Sequence, residues 1–95
     1  MPKQTDLSGA LLSDANLESA DMTGANLIFA KMVGANLKAA VLVRADLSSA
    51  DLSGAQLMGA DFTDANIYGT VFRNAKGLES VKGLDQARNR DKAIF

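Results

Sequence analysis

The chain has 95 residues, with ten Lys and Arg against eleven Asp and Glu, and a formal net charge of −1. It contains no Cys and no His, which excludes disulfide bonds, thiolate chemistry and the commonest general base and metal ligand at neutral pH. We therefore expect one small domain, residues 1–95, that is not an enzyme and uses no metal and no cofactor.

The first residues of the chain lack the apolar core of a secretory signal. No stretch approaches the roughly 18 unbroken apolar residues of a membrane span. We therefore expect a cytoplasmic protein that makes no use of a membrane, and a processed precursor is the alternative.

A strict five-residue repeat occupies most of the chain. From Leu7 to Phe72 every fifth residue is large and apolar, and the residue two places before it is Ala or Thr. Five residues advance an α-helix by about 500°, which would scatter these side chains around it, and an odd spacing in a strand would send them to alternate faces. The chain must therefore turn once in every repeat.

The repeats resemble those of a known family. Segments such as Ala15-Asn16-Leu17-Glu18-Ser19 and Ala50-Asp51-Leu52-Ser53-Gly54 resemble the A(D/N)LXX motif of the pentapeptide repeat proteins, and the resemblance covers residues 5–75. It implies an all-β fold, a right-handed quadrilateral β-helix in which four repeats make one coil of about 20 residues. Residues 5–75 would then form a solenoid of about three and a half coils.

Four sides per coil place the central apolar residues in four interior columns. These are Leu7, Leu27, Leu47 and Ile67 on side 1; Leu12, Met32, Leu52 and Phe72 on side 2; Leu17, Leu37 and Leu57 on side 3; and Met22, Leu42 and Phe62 on side 4. The Ala residues would also point inward, where larger groups would overfill a close-packed tube.

Asp or Asn precedes the central residue in nine of the fourteen repeats. These residue types favour corners because their side chains bond to nearby backbone groups. The alternative is a cation site or an acid/base pair at Asp46, Asp51, Asp61 and Asp64, which would need a cleft. A convex rod provides none, so we interpret the acidic residues as structural.

Two departures from the repeat indicate candidate interaction surfaces. Outward positions are mostly polar, but residues 25–44 place apolar side chains there, namely Ile28, Phe29, Val33, Val41 and Val43. We expect a surface for a protein partner or a second copy centred on Phe29, and the alternatives are scattered exposure or cover by a neighbouring segment. The first coil also has an open edge, formed by Leu7, Leu12, Leu17 and Met22. That edge predicts end-on association as a homodimer, or further repeats that precede this segment.

The five-residue period stops after Ala75. The apolar spacing of Leu78, Val81, Leu84 and Ala87 predicts an α-helix over residues 78–92, within a C-terminal cap formed by residues 76–95. Glu79/Lys82 and Asp85/Arg88 would pair along this helix, and Gly83 leaves open a split into two shorter helices. The helix would cover the apolar end of the solenoid.

Charge bears on the function that the resemblance suggests. Some pentapeptide repeat proteins mimic DNA on the surface of DNA gyrase. Residues 1–75 carry eight acidic and five basic residues, a net of −3, whereas a DNA mimic of this height would need about ten negative charges. We therefore favour a non-catalytic structural or protein-interaction module, and a DNA-mimic inhibitor or protector of gyrase is the alternative. The basic tail residues Arg88, Arg90 and Lys92 alternate with acidic ones and lack aromatic neighbours, which disfavours nucleic-acid binding.

Overall fold

The structure, a computed structural model, describes residues 4–95. Met1, Pro2 and Lys3, the start of the predicted domain, lie outside the described residues. Within residues 4–95, fourteen isolated parallel bridges connect the coils, and each involves the residue immediately before a central apolar position or its equivalent in the last coil. We call these positions the bridging residues.

The register of the bridges defines the coil. Asp6 pairs with Asn26, Asn26 with Asp46 and Asp46 with Asn66, so that equivalent residues stack at intervals of 20. Eleven of the fourteen bridges have this spacing. Since the repeat is five residues long, each coil has four sides, as predicted. Neighbouring coils lie roughly 4.8 Å apart, the usual separation of paired strands.

Each repeat satisfies its backbone groups in the same way. In the second coil the Asn26 amide donates to the carbonyl of Thr5 below it at 2.8 Å, and the Leu27 amide donates to the carbonyl of Asp46 above it at 2.7 Å. The Ala30 amide closes the corner by donating to the Leu27 carbonyl at 3.0 Å. Each five-residue repeat therefore contains one corner and one residue whose backbone pairs in parallel with the equivalent residue of a neighbouring coil.

The interior is a narrow column of Leu and Ala with a few larger residues near its C-terminal end. Side chains from Ala25 to Phe72 at the central and Ala positions are almost completely buried. Phe62 on side 4 meets Phe72 on side 2 edge to face, with ring centroids 5.8 Å apart. Thr70 occupies an Ala position and is fully buried, and its hydroxyl donates to the Leu47 carbonyl at 2.6 Å. The one polar side chain in the described core is therefore hydrogen bonded.

The prediction of an α-helix over residues 78–92 is wrong. The structure has three short 3₁₀ helices there, Leu78–Ser80, Leu84–Gln86 and Arg90–Lys92. Each follows a residue with positive φ, Gly77 at 83°, Gly83 at 74° and Asn89 at 62°. A left-handed residue every six positions is incompatible with a continuous right-handed helix.

These residues continue the solenoid with longer sides. Lys82 bridges to Asp61, Arg88 to Asn66 and Ile94 to Val71, so the spacing grows to 21, 22 and 23 residues as each side gains one residue. Leu78, Val81, Leu84 and Ala87 are half-buried against the core from this last coil. Their three-residue spacing is half of a six-residue period, which is why it resembled a helix. The predicted Glu79/Lys82 and Asp85/Arg88 pairs are replaced by an ion pair between Arg90 and Asp85 at 3.8 Å.

Candidate interaction surfaces

The five residues predicted to form one outward surface do not share a face. Ile28 lies on side 1, Phe29 at the corner between sides 1 and 2, and Val33 on side 2. Val41 and Val43 lie on side 4, which is opposite side 2 across the tube, and both are half-buried. Phe29 is 66% exposed and Val33 41%, so the exposed part of the predicted surface is at the corner of sides 1 and 2.

The 20-residue register of the bridges places one more exposed apolar residue beside the predicted surface. Leu11 is the bridging residue of side 2 in the first coil, directly below Lys31, and it is 80% exposed. Lys31 lies between Phe29 and Val33 in the chain, so Leu11 borders the same corner. We call Leu11, Ile28, Phe29 and Val33 the Phe29 surface. The twenty-residue spacing of the columns is the signal that could have identified Leu11.

Phe29 is an unusual side chain for its corner position. In all fourteen five-residue repeats the second residue after the central one has positive φ, and six of these residues are Gly. Phe29, with φ of 61°, is the one aromatic residue among the eight that are not Gly. A bulky side chain in this region is disfavoured, and because Phe29 is 66% exposed it regains little of that cost through burial. The side chain of Phe29 is therefore not required by the corner that it occupies.

The lower edge of the first coil is open among the described residues. Of the four residues in the predicted edge, Leu7, Leu12 and Leu17 are half-buried and Met22 is buried at 8% exposure, and association through this edge stays a prediction. Within residues 4–95 the amide and carbonyl of Asp6 have no backbone partner, unlike those of Asn26 one coil above. Gln4 covers one carbonyl, since its side-chain amide donates to Gly24 at 2.9 Å.

The upper edge has a concave surface that the sequence did not indicate. A cavity of about 310 Å³ opens on the last coil. Most of its accessible lining is polar, with Asp85 and Arg90 among the polar residues, and Leu78, Val81 and Leu84 contribute a smaller apolar part. The cavity lies on the coil whose sides are six residues long.

The acidic residues act locally, as expected for a structural role. Asp61 accepts hydrogen bonds from the Thr63 hydroxyl at 2.6 Å and the Thr63 amide at 3.0 Å, and the same arrangement recurs at Asp6, Asp21, Asp46 and Asp51. The hydroxyl bonds, followed by the amide bonds, lower the pKa of Asp6, Asp21, Asp51 and Asp61. Across residues 4–95 no three acidic side chains converge in a metal-binding group.

Surface charge changes sign from coil to coil. Residues 6–25 carry four acidic and no basic residues, residues 26–45 three basic and no acidic, and residues 46–65 four acidic and no basic. Residues 76–95 carry five basic and three acidic residues. The rod is therefore banded rather than uniformly negative.

The chain belongs to the pentapeptide repeat family. The family model for pentapeptide repeats matches residues 3–38 and 40–76 with eight copies. Solved structures of the family imply a right-handed β-helix for the repeats. No curated protein matches the chain. None of the helices in residues 4–95 is long and apolar enough to cross a membrane.

Three solved structures illustrate the likeness. A pentapeptide repeat protein from the thylakoid lumen of Arabidopsis thaliana is 42% identical with a TM-score of 0.74, over 75% of this chain and 49% of that one. Rfr23, a pentapeptide repeat protein from the cyanobacterium Cyanothece 51142, is 30% identical with a TM-score of 0.56, over 100% of this chain and 67% of that one. The plasmid-mediated fluoroquinolone resistance protein QnrB1 is 24% identical with a TM-score of 0.51, over 78% of this chain and 40% of that one, and shares the fold. This chain thus spans about half the length of the Arabidopsis protein.

Proposed function

We propose that this chain is a non-catalytic protein-interaction module that binds a partner protein through the Phe29 surface. The observation that carries the proposal is Phe29 itself, an aromatic side chain that is 66% exposed and held at a φ of 61°. Asp, Asn or Gly would occupy this backbone position at lower cost. The side chain therefore contributes little to the stability of the fold, and its role in this proposal is to contact the partner protein.

The neighbours of Phe29 suit an interface. Leu11 and Val33 add exposed apolar area, and Lys31 lies among them as a charged group. Aromatic residues surrounded by smaller apolar and polar contacts commonly dominate the binding energy of protein interfaces. A partner with a complementary apolar patch and an acidic group facing Lys31 would fit this corner.

The rest of the chain supports a non-catalytic role. Five carboxylates, Asp6, Asp21, Asp46, Asp51 and Asp61, are hydrogen bonded within their own corners, and the sequence has no His or Cys to serve as base or nucleophile. A cytoplasmic location remains a prediction from the sequence.

The decisive experiment compares Phe29→Asp with Met58→Asp. Asp already occupies the equivalent left-handed position at Asp14 and Asp64, so Phe29→Asp should fold. Met58 is 38% exposed on side 3, which is opposite side 1, and its change to Asp adds the same charge. Pull-downs from the native host should recover a partner with the wild type and Met58→Asp and lose it with Phe29→Asp. The purified partner should then bind about tenfold or more weakly to Phe29→Asp. Equal recovery by both variants would exclude the Phe29 surface.

The alternative, a DNA-mimic inhibitor or protector of gyrase, gains little support. The likeness to QnrB1 concerns the fold. The basic band formed by Lys31, Lys38 and Arg44 interrupts the negative surface that a duplex mimic needs. A gyrase supercoiling assay with and without a quinolone, run with excess protein, should show no inhibition and no protection. A clear effect in that assay would favour the alternative.

A further inference from the structure

The two ends of the solenoid carry opposite charge. The first coil, residues 6–25, has Asp6, Asp14, Glu18 and Asp21 and no basic residue. Residues 76–95 have a net charge of +2, and three of their four bridging residues, Lys76, Lys82 and Arg88, are basic and exposed. An acidic coil and a basic coil are therefore the two terminal surfaces of the described structure.

Inside the chain, acidic and basic coils already stack on one another. Lys82 bridges directly to Asp61, and its charge helps to lower the pKa of that carboxyl after the larger effect of the hydrogen bonds from Thr63. Asp51 lies above Lys31 on side 2. The hydrogen bonds from Ser53 have the largest effect in lowering the pKa of Asp51, and the charges of Lys31 and Arg73 also lower it. An acidic coil placed on the last, basic coil would extend this alternation.

The backbone edges are complementary in one orientation. At each junction the central residue of the lower coil donates upward, as Leu27 does to Asp46, and the bridging residue of the upper coil donates downward, as Asp46 does to Ala25. On side 3 the Gly77 amide and the Ala75 carbonyl, on either side of Lys76, offer the lower half of this pattern, and neither has a backbone partner within residues 4–95. On the first coil, the Asp6 amide and carbonyl correspond to the groups that the upper coil contributes to this pattern. Like edges brought together would lack this match and would oppose like charges.

Each end also has apolar side chains that are only half-buried. The cavity of about 310 Å³ on the last coil is lined in part by Leu78, Val81 and Leu84. The opposite end presents the half-buried Leu7, Leu12 and Leu17. Contact between the two ends would bury both apolar sets, which neither end accomplishes alone.

We propose that the acidic first coil of one copy stacks on the basic last coil of a second copy, so that copies of this 95-residue chain associate head to tail. Ile94 bridges to Val71 on side 2, and on side 3 no described residue bridges to Lys76 from above. The first bridging residue of the incoming copy, Asp6, takes that position. Because the interface joins unlike surfaces, it leaves both outer ends open, and association continues beyond the dimer.

The test measures mass against concentration by sedimentation for the wild type and two matched variants. Asp6→Asn with Asp21→Asn removes two charges from the first coil, and Asp51→Asn with Asp61→Asn removes two from the third. All four carboxylates accept a bond from a neighbouring Ser or Thr, and Asn fills the same position at Asn26 and Asn66. The wild-type mass should rise past that of a dimer, and added salt should reduce it. The first-coil variant should associate about tenfold more weakly, while the third-coil variant should match the wild type.

Engineered cysteines identify the ends that meet. The natural chain has no Cys, so a mixture of Ser13→Cys and Gln86→Cys chains reports contacts between them specifically. The mixed disulfide should form faster than either symmetric one. A monomeric wild type at all concentrations, a plateau at the dimer mass, equal weakening of both Asn variants, or a predominance of symmetric disulfides would each overturn the proposal. The mass curve of Phe29→Asp should match that of the wild type, which separates this interface from the Phe29 surface.

Discussion

The ring of Phe95 stacks on the ring of Phe72, with centroids 5.1 Å apart and an angle of 10° between their planes. Phe95 continues the side 2 column although 23 residues separate the bridging residues Val71 and Ile94. The Phe72 amide donates to the Ile94 carbonyl beside this stack. The last residue of the chain is thus part of the solenoid rather than a frayed end.

Phe95→Ala should loosen the last coil without unfolding the others. The loss of the ring contact should cost about 1 kcal/mol, because Phe95 is 54% exposed. Hydrogen exchange should show faster exchange of the Phe72 amide and unchanged exchange of the Leu27 amide. Equal acceleration at both amides would mean that the coils unfold as one unit, contrary to a local role.

Enlarging an inward Ala should be more harmful than enlarging an outward Ser. Ala45 is fully buried in the tube, so Ala45→Leu should destabilise the fold by about 3 kcal/mol or prevent folding. Ser13→Leu is the control, because Ser13 is exposed and Val33 fills the equivalent position one coil above. It should change the free energy of unfolding by less than about 0.5 kcal/mol in urea titrations. A similar cost for both substitutions would contradict the close packing of the tube.

Two glycines with positive φ should respond differently to Ala. A Cβ at Gly54, with φ of 66°, would meet nothing within 4 Å, so Gly54→Ala should cost only the backbone term of about 1 kcal/mol. A Cβ at Gly83, with φ of 74°, would lie 2.5 Å from the backbone nitrogen of Thr63. Gly83→Ala should therefore cost about 2–4 kcal/mol, because the last coil must separate from the coil beneath it. Thermal unfolding of both variants checks the difference. Equal losses of stability would indicate that the last coil shifts to accommodate the added Cβ without further cost.

Acid should weaken the corners held by Asp51 and Asp61. Hydrogen bonds from Ser53 and Thr63 lower the pKa of these carboxyls below the ordinary value of 3.8. Such groups stabilise the folded state above their unfolded pKa, and this stabilisation is lost as the pH falls through the lower folded pKa. The melting temperature should therefore fall below about pH 4, and it should fall less in the variant that combines Asp51→Asn with Asp61→Asn. An equal fall of the melting temperature with pH in the two proteins would contradict a stabilising role for these hydrogen bonds.

Much of the fold was predictable because one short period dominates the chain. A central apolar residue at every fifth position excludes helices and long strands, so the inward direction of residues such as Leu37 and Leu57 follows from local geometry. The last coil was not predictable in the same way. The segments Lys76-Gly77-Leu78-Glu79-Ser80-Val81 and Lys82-Gly83-Leu84-Asp85-Gln86-Ala87 share a six-residue pattern, but its apolar spacing of three is also compatible with a helix. The left-handed residues Gly77 and Gly83 decide between the two.

The sequence by itself determined that the chain turns at five-residue intervals, that Leu and Ala face inward and that the acidic residues serve the corners, because each of these depends on spacing within one repeat. The tertiary structure decided what depends on spacing between coils. Leu11 borders Phe29 and Lys82 lies over Asp61 because the register of parallel bridges brings residues about twenty positions apart into contact. The surfaces on which the proposed functions depend belong to this second group.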